Sequence, residues 1–435
     1  MDDQETRLTR LRREIHRLRT SPSLRLGSHI TDAIRKPWRA PFLIITLPWM
    51  MAMIGFELLG WKAQPAAFSA NRAGRLSSKG NCVVMFPTNG VGFGHFTRML
   101  AVAKRMKASD PSLEIIFFTT MPTLHLLKPY GIPAHHISGP KYFKGMDSEE
   151  WNALLEEELN MCFELHRPSM FLFDGAFPYR GMLRAIQGRT SLRKIWMRRG
   201  TFRKGSSIPV DSIQHFDAVV HPEDSVASPV EKIEHDLEVI TCPPIVMLDE
   251  NELLSKEKSR SRLGLSQDAI VIYVQLGAGE INEIESEVRQ TVDALLKNSK
   301  VHIVLGESMI GPRIELDLER VRILRDYPNS MYFHGFDATV QAGGYNSFHE
   351  TRKFGLPALF YPNMNTGMDD QMARCNVADI EGWGKVVQKR THDNILLACE
   401  DLLNRLKNPS TIPKQLNGAD ILSTLLMEGL NESIE

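Results

Sequence analysis

VQAGGYNSFHETRKFGLPALFYPN, residues 340–363, places a glycine pair before Tyr-Asn-Ser and a glutamate four residues after the asparagine. Residues 337–342 (DATVQA) read as a short buried strand, and residues 346–354 predict a helix that stops before Gly355 and Pro357. A strand, a glycine turn and a helix in that order expose backbone N–H groups that attract anions. The glycines remove the side chains that would hold a phosphate away. The same residues support a reading without any ligand, because Ser347 with Glu350 fits the S-x-x-E capping box. On this stretch alone both readings stand.

The chain has 435 residues, 43% of them hydrophobic, and zero formal net charge. That is enough for two globular domains and an appendage, and it gives no electrostatic case for bulk nucleic-acid binding. Five cysteines at 82, 162, 242, 375 and 399 are widely spaced and form no C-x-x-C pair. The pattern favours reduced, buried thiols in a cytosolic compartment over disulfides or a zinc site.

Zero net charge hides an uneven distribution. Residues 7–39 carry ten Lys/Arg against Glu14 and Asp32, so the arm is basic. Leu8, Leu11, Ile15 and Leu18 are spaced 3, 4, 3, which fits either a coiled-coil seam for a homo-oligomer or a lone amphipathic helix. PFLIITLPWMMAMIGFELLGW (41–61) follows, with Glu57 as its only charge. It is long enough to span a bilayer, yet Pro48 interrupts it. With the basic flank kept inside, a full crossing would export the rest of the chain into an oxidising space. An in-plane or re-entrant seat on the cytoplasmic face of the membrane is therefore expected, ahead of a span or a buried core hairpin. Its position also argues against a cleaved signal peptide.

From residue 81 strands alternate with helices. CVVMF (82–86) and EIIFF (114–118) flank a helix near 95–108, and MFLFD (170–174) and AVVHP (218–222) follow. The alternation restarts at AIVIYVQLG (269–277), then a helix near 281–298, VHIVLG (301–306), VRIL (321–324), ATVQA (338–342) and ALFYP (358–362). This predicts two doubly wound parallel-sheet domains, 80–240 and 241–415, facing a cleft, with a helix over 416–435. The paired prolines of CPPIVML (242–248) suit a hinge between them.

The first strand runs into PTNGVGFGHFTRML (87–100), where Gly90, Gly92 and Gly94 make a G-x-G-x-G turn. A dinucleotide fold would end the second strand in an acid, and here it ends in Thr119 and Thr120. The loop therefore reads as a backbone approach to some other ligand.

The two glycine loops, about 250 residues apart, together resemble those of GT-B glycosyltransferases, with a likeness to the MurG type and to galactolipid synthases over about residues 81–400. The resemblance implies an acceptor domain followed by a nucleotide-sugar domain, no cofactor, metal-independent chemistry and inversion at the anomeric carbon. It puts Gly343, Gly344, Tyr345, Asn346 and Ser347 at the donor diphosphate and Glu350 at the ribose. Gly277 and Gly279 fall on a second phosphate loop, and Asp370 and Gln371 fall on the sugar hydroxyls. His95 becomes the acceptor-side base, beside the loop Asn89, Gly90, Gly92 and Gly94. Tyr345 and Asn346 replace smaller residues, and YPNSMYFHGFD (327–337) departs from the segment that chooses the base, so uracil is an expectation only.

Alternatives remain for each residue. Gly343 and Gly344 could serve only the turn, and Glu350 only a cap. Asp370 could cap a helix, leaving Gln371 solvated. Asp174, ending a strand in the same domain as His95, is the rival base. Trp151, Trp196, Cys242 and Cys375 read as packing. No D-x-D run occurs in the chain, in keeping with metal independence. The expected reaction moves a sugar from a nucleotide sugar, UDP-linked, to a lipid-linked or polysaccharide acceptor. A nucleotide-sugar 2-epimerase of the same fold, or a non-catalytic scaffold at the membrane, are the other readings.

Overall fold

The computed structural model describes residues 21–59, 61, 80–88, 92–143, 146–198, 210–226, 237–277, 284–309, 316, 318–365, 369–408 and 410–432. The chain divides into two compact units, Met1–Arg75 and Leu76–Glu435.

The described part of the first unit is helical. Helix α1 (Pro22–Arg35) is followed by a 3-10 segment (Pro37–Phe42) and helix α2 (Leu43–Leu58), which continues through Pro48. Arg25 reaches Glu57 at 2.5 Å, and His29 meets Thr46 at 2.8 Å. The one charge of the apolar stretch is thereby paired. Pro37–Glu57 is long and apolar enough to cross a membrane, by length and composition only. Its large side chains are mostly exposed, Ile44 and Trp49 at 82% and 70%, so it is not the core of a hairpin. The Leu8–Leu18 spacing lies outside the described residues.

The second unit holds two all-parallel sheets. In the first, β1 (Cys82–Pro87), β2 (Glu114–Thr119), β3 (Ala134–His136), β4 (Met170–Asp174), β5 (Arg193–Met197), β6 (Ala218–Pro222) and β7 (Glu238–Cys242) run in the order 3-2-1-4-5-6-7. In the second, β8 (Ile270–Gln275), β9 (Val301–Gly306), β10 (Val321–Leu324), β11 (Ala338–Ala342), β12 (Ala358–Tyr361) and β13 (Gly384–Val386) run 10-9-8-11-12-13. Both orders reverse beside the first strand of the sheet, between β1 and β4 and between β8 and β11. Ligands of open α/β sheets gather at the carboxyl ends of strands at such points.

The helices of this unit follow in order. They are α3 (Gly94–Ser109), α4 (Ser148–His166), α5 (Arg180–Ile186), α6 (Val210–Ile213), α7 (Lys256–Arg262), α8 (Glu285–Leu296), α9 (Tyr345–Lys353), α10 (Gln371–Ile380), α11 (His392–Lys407) and α12 (Gly418–Glu432). The central strands are apolar throughout because helices cover both faces: β1, β4 and β12 are buried at every position. Trp151 and Trp196 are core residues, and all five cysteines are buried thiols.

The connection between the sheets is not a loose hinge. Ile245, Val246 and Met247 are buried, Ile245 N–H donates to the Tyr345 hydroxyl, and Val246 exchanges hydrogen bonds with Asn417. Helix α12 then returns to the first sheet, where Ala419, Leu422, Leu426 and Leu430 join the core beside Phe96 and Leu100 of α3. A Cβ at Gly418 would lie 1.8 Å from the Pro243 carbonyl oxygen, so only glycine allows this close crossing.

The deepest tie is ionic. Asp224, just past β6, is buried against Arg374 of α10, with Nη2 at 2.6 Å and Nε at 2.9 Å, and against His349 of α9 at 3.0 Å. Asp369 pairs with the same guanidinium at 2.7 Å. Burial alone would raise the Asp224 pKa, but Arg374 and His349 more than offset it and hold the carboxyl well below the usual range. Its contribution is therefore complete above the unfolded value of about 3.9 and is lost as pH falls from there toward the lower folded value. Asp224→Ala is expected to destabilise the protein by about 3 kcal/mol at pH 7, the lower end for a broken buried pair because Arg374 keeps Asp369. Urea denaturation should show this deficit shrinking below about pH 4; a deficit independent of pH would contradict the assignment.

Candidate active site

Between the carboxyl ends of the two sheets lies a cavity of about 690 Å³, within the size range of small-ligand pockets. Both glycine loops border it. Gly92, Gly94 and His95 line one side, and Gly277, Gly344, Asn346, Ser347 and Glu350 line the other. The loops meet directly, because Asn346 Nδ2 lies 3.4 Å from the Gly94 carbonyl oxygen. Asn89, Gly90 and Gly279 lie outside the described residues.

On the first-sheet side, His95 sits in the opening turn of α3 and Asp174 ends β4, so the switch point of that sheet brings them together. Asp174 accepts from His95 Nδ1 at 2.6 Å and from Arg98 Nη2 at 2.8 Å. Asp174 is 1% exposed, whereas His95 borders the cavity. Burial works to raise the Asp174 pKa, but Arg98 and His95 reverse this and leave it lowered. An ionised acid behind an imidazole holds Nδ1 protonated and makes Nε2 the basic nitrogen. The rival base thus becomes the orienting partner of His95. Arg98 lies one helical turn beyond His95, a spacing that could have drawn attention to it in the sequence.

On the second-sheet side, α9 begins at Tyr345 with Gly344 as its N-cap, and no side chain caps it. The capping box of Ser347 and Glu350 does not form. Glu350 instead accepts from Ser330 Oγ at 3.1 Å, from the segment before β11. Glu350 borders the cavity and is only partly covered, yet the surrounding protein removes enough water to push its pKa from 4.5 up to about 7, with Ser330 opposing slightly.

The two glycines of the motif have different jobs. A Cβ at Gly343 would lie 2.5 Å from Cys375 Sγ and 3.2 Å from Gln371 Cβ, so this glycine lets α10 pack against the turn. A Cβ at Gly344 would meet nothing within 4 Å, which leaves the first amides of α9 approachable from the cavity. Gly277 has φ +104°, a conformation that requires glycine where β8 opens toward the cavity.

Two expected donor residues, Tyr345 and Asp370, are placed differently from the reading of the motif, and Gln371 stands where that reading puts it. Tyr345 borders the cavity, but its hydroxyl donates to the Glu223 carbonyl and accepts from Ile245 N–H, so it joins the domains. Asp370 caps α10 by accepting from Ala373 N–H, and Asp369 takes its place on the cavity wall. Gln371 is buried rather than solvated: it faces the cavity and accepts from Asn363 N–H at 2.9 Å. Arg390 also reaches the cavity, held by Glu287 at 2.7 Å and by the Pro362 carbonyl, and no local sequence signal marks it.

No family model matches the chain. Two proteins called uncharacterized glycosyltransferase are similar over part of it. That of Methanosarcina acetivorans is 27% identical over 135 residues, covering 28% of this chain and 34% of the relative. That of Methanosarcina mazei is 25% identical over 144 residues, covering 31% and 38%. Each match spans about a third of the relative's length. Among solved structures, the kitacinnamycin glycotransferase has a TM-score of 0.55 at 14% identity, covering 80% of this chain and 99% of its own. S. aureus MnaA, solved with UDP, has 0.54 at 13% identity, covering 81% and 97%. The calicheamicin glycosyltransferase CalG4 has 0.52 at 13% identity, covering 81% and 98%. The fold is GT-B, as the two loops implied.

The raised pKa of Glu350 has a sign that can be checked. Between pH 4.5 and about 7 the folded chain holds a proton that the unfolded chain has released, so stability from this group is complete below 4.5 and declines until pH passes 7. Glu350→Gln removes that decline. Relative to the parent it should gain stability from pH 5 to 8, by at most about 3 kcal/mol and less where cavity water reaches the carboxylate. Denaturant titrations across that range measure it, and a difference flat in pH would return Glu350 to a solvated carboxylate.

Proposed function

We propose that the protein is an inverting glycosyltransferase that moves a sugar from a nucleoside diphosphate sugar, with UDP as the nucleotide, to an acceptor hydroxyl at a membrane surface. The observation that carries this reading is the pairing, in one cavity, of the His95–Asp174 couple with the uncapped start of α9. One can accept a proton and the other can hold a diphosphate. The fold of the second unit, shared with glycosyltransferases and with a protein solved holding UDP, supports it.

In this reaction the acceptor oxygen attacks the anomeric carbon and gives its proton to His95 Nε2. Asp174 stabilises the imidazolium that forms. The bond from the anomeric carbon to the phosphate oxygen breaks on the opposite face, and the diphosphate leaves with its negative charge toward the amides of α9. Glu350 is assigned to the ribose hydroxyls and Gln371 to the sugar. This chemistry asks for no cofactor and no metal. The basic residues and exposed apolar face of the first unit suit a peripheral or monotopic seat on the inner membrane face, and a lipid-linked saccharide is the acceptor that such a seat would serve.

His95→Ala is expected to lose about 100-fold or more in kcat while donor affinity stays close to the parent's. The product from an α-linked donor should be β, read from the NMR coupling at the anomeric proton. An α product would exclude single displacement. Breakdown of the donor with no acceptor-dependent product would exclude transfer altogether.

Removal of residues 1–62 should leave a folded second unit that binds the donor but no longer sediments with anionic vesicles. Full retention on those vesicles would move the membrane contact into the sheets and their helices.

A further inference from the structure

At the β3 edge of the first sheet, away from the cavity, three metal-binding side chains converge. Cys162 and His166 stand one turn apart on α4 and so share a face, while His135 comes from β3. One donor atom from each residue lies within 4.8 Å of the others, and the Nε2 atoms of His135 and His166 are 2.9 Å apart. Glu114, at the start of β2, meets Nδ1 of His166 at 3.2 Å. A carboxylate on Nδ1 fixes the tautomer that offers Nε2, the arrangement common behind metal-ligating histidines. None of the three residues lines the cavity.

We propose that Cys162, His135 and His166 bind one divalent cation of the zinc class, with Glu114 as the outer carboxylate and a water molecule as the fourth ligand. One thiolate and two imidazoles are a donor set that zinc accepts in tetrahedral geometry. Zn–N bonds of about 2.0–2.1 Å at a tetrahedral angle put two nitrogens about 3.3 Å apart, so the imidazoles need to separate only slightly. Binding releases the Cys162 proton to solvent, and the thiolate and Glu114 together balance the two positive charges. A hydrogen bond between neutral imidazoles would explain the 2.9 Å contact alone. It would not explain why a thiol stands close to both rings while a carboxylate holds the far nitrogen of one of them. The cation would tie α4 to β3, with Glu114 of β2 bracing His166 from behind, at a place apart from the cavity.

The test uses the full chain, stripped with a chelator and titrated with Co²⁺ alone. The expected result is one equivalent bound, with a near-ultraviolet thiolate-to-cobalt charge-transfer band and strong visible bands of tetrahedral cobalt. Cys162→Ser should abolish the charge-transfer band. Glu114→Gln should weaken binding about 10- to 100-fold, the usual effect of losing an outer-shell partner, and His135→Gln at least as much. Zn²⁺ should raise the melting temperature of the parent in a concentration-dependent way. Because Cys162 is fully buried and its serine variant could fail to fold, His135→Gln, on a partly exposed edge, provides the second arm. Absence of the band in the parent, or an undiminished band and affinity in His135→Gln with a parent-like circular dichroism spectrum, overturns the proposal.

Discussion

The grip of Asp224 on Arg374 and His349 is the constraint on which the site depends. It fastens the end of β6 in the first sheet to α9 and α10 of the second, within a wholly buried contact. Such a pair does little for net stability compared with apolar packing, because desolvating both ions costs about as much as their attraction returns. What it supplies is position. A carboxylate that must meet a guanidinium and an imidazole at 2.6–3.0 Å leaves little room for other relative placements of α9, α10 and the end of β6. The buried linker and the return of α12 restrict the same degrees of freedom from the other side.

Within that frame, two cavity-side carboxyls are driven in opposite directions. Asp174 is wholly covered, yet it has two donors and stays ionised. Glu350 is less covered but has only the Ser330 hydroxyl opposing its loss of water, and its pKa rises. Separation of this kind lets neighbouring acids serve different purposes at one pH. An ionised Asp174 suits the support of an imidazolium, and a carboxyl able to donate or accept near neutral pH suits sugar hydroxyls.

Much of the fold was legible because strands buried on both faces are continuous apolar runs, as in CVVMF and MFLFD. The strands that escaped notice are of another kind. β3 and β13 have three residues each, β5 begins with Arg193 and Lys194, and β7 is a half-exposed edge. The glycine loops were legible from local pattern, and so was Asp174 as a strand-end acid, whereas His95 came from the resemblance. Partners chosen by tertiary structure were not. Ser347 and Glu350 match a capping box, but Ser330, twenty residues back, takes the carboxyl. Nothing in HPEDS or MARCN announces that Asp224 and Arg374 meet across 150 residues. Paired prolines suggested freedom, where neighbours from 345 and 417 hold the segment fast.

Tyr345, a bulky residue where the resemblance implied a smaller one, shows how the two halves of the site are joined. Two guanidiniums approach its ring, with Arg98 at 5.3 Å and Arg374 at 5.7 Å from the centroid. Arg98 in turn holds Asp174, and Arg374 holds Asp224 and Asp369. A chain of contacts through the Tyr345 ring therefore links the acid behind His95 to the tie between the sheets. An aromatic ring attracts a guanidinium in a way that an aliphatic side chain does not, and the carboxylates paired with each arginine offset their charge. A smaller residue at 345 would remove both the ring that meets Arg98 and Arg374 and the hydroxyl link to Glu223 and Ile245. The departure from the motif is thus a structural commitment: the residue that opens α9 also touches Arg98, and Arg98 holds Asp174.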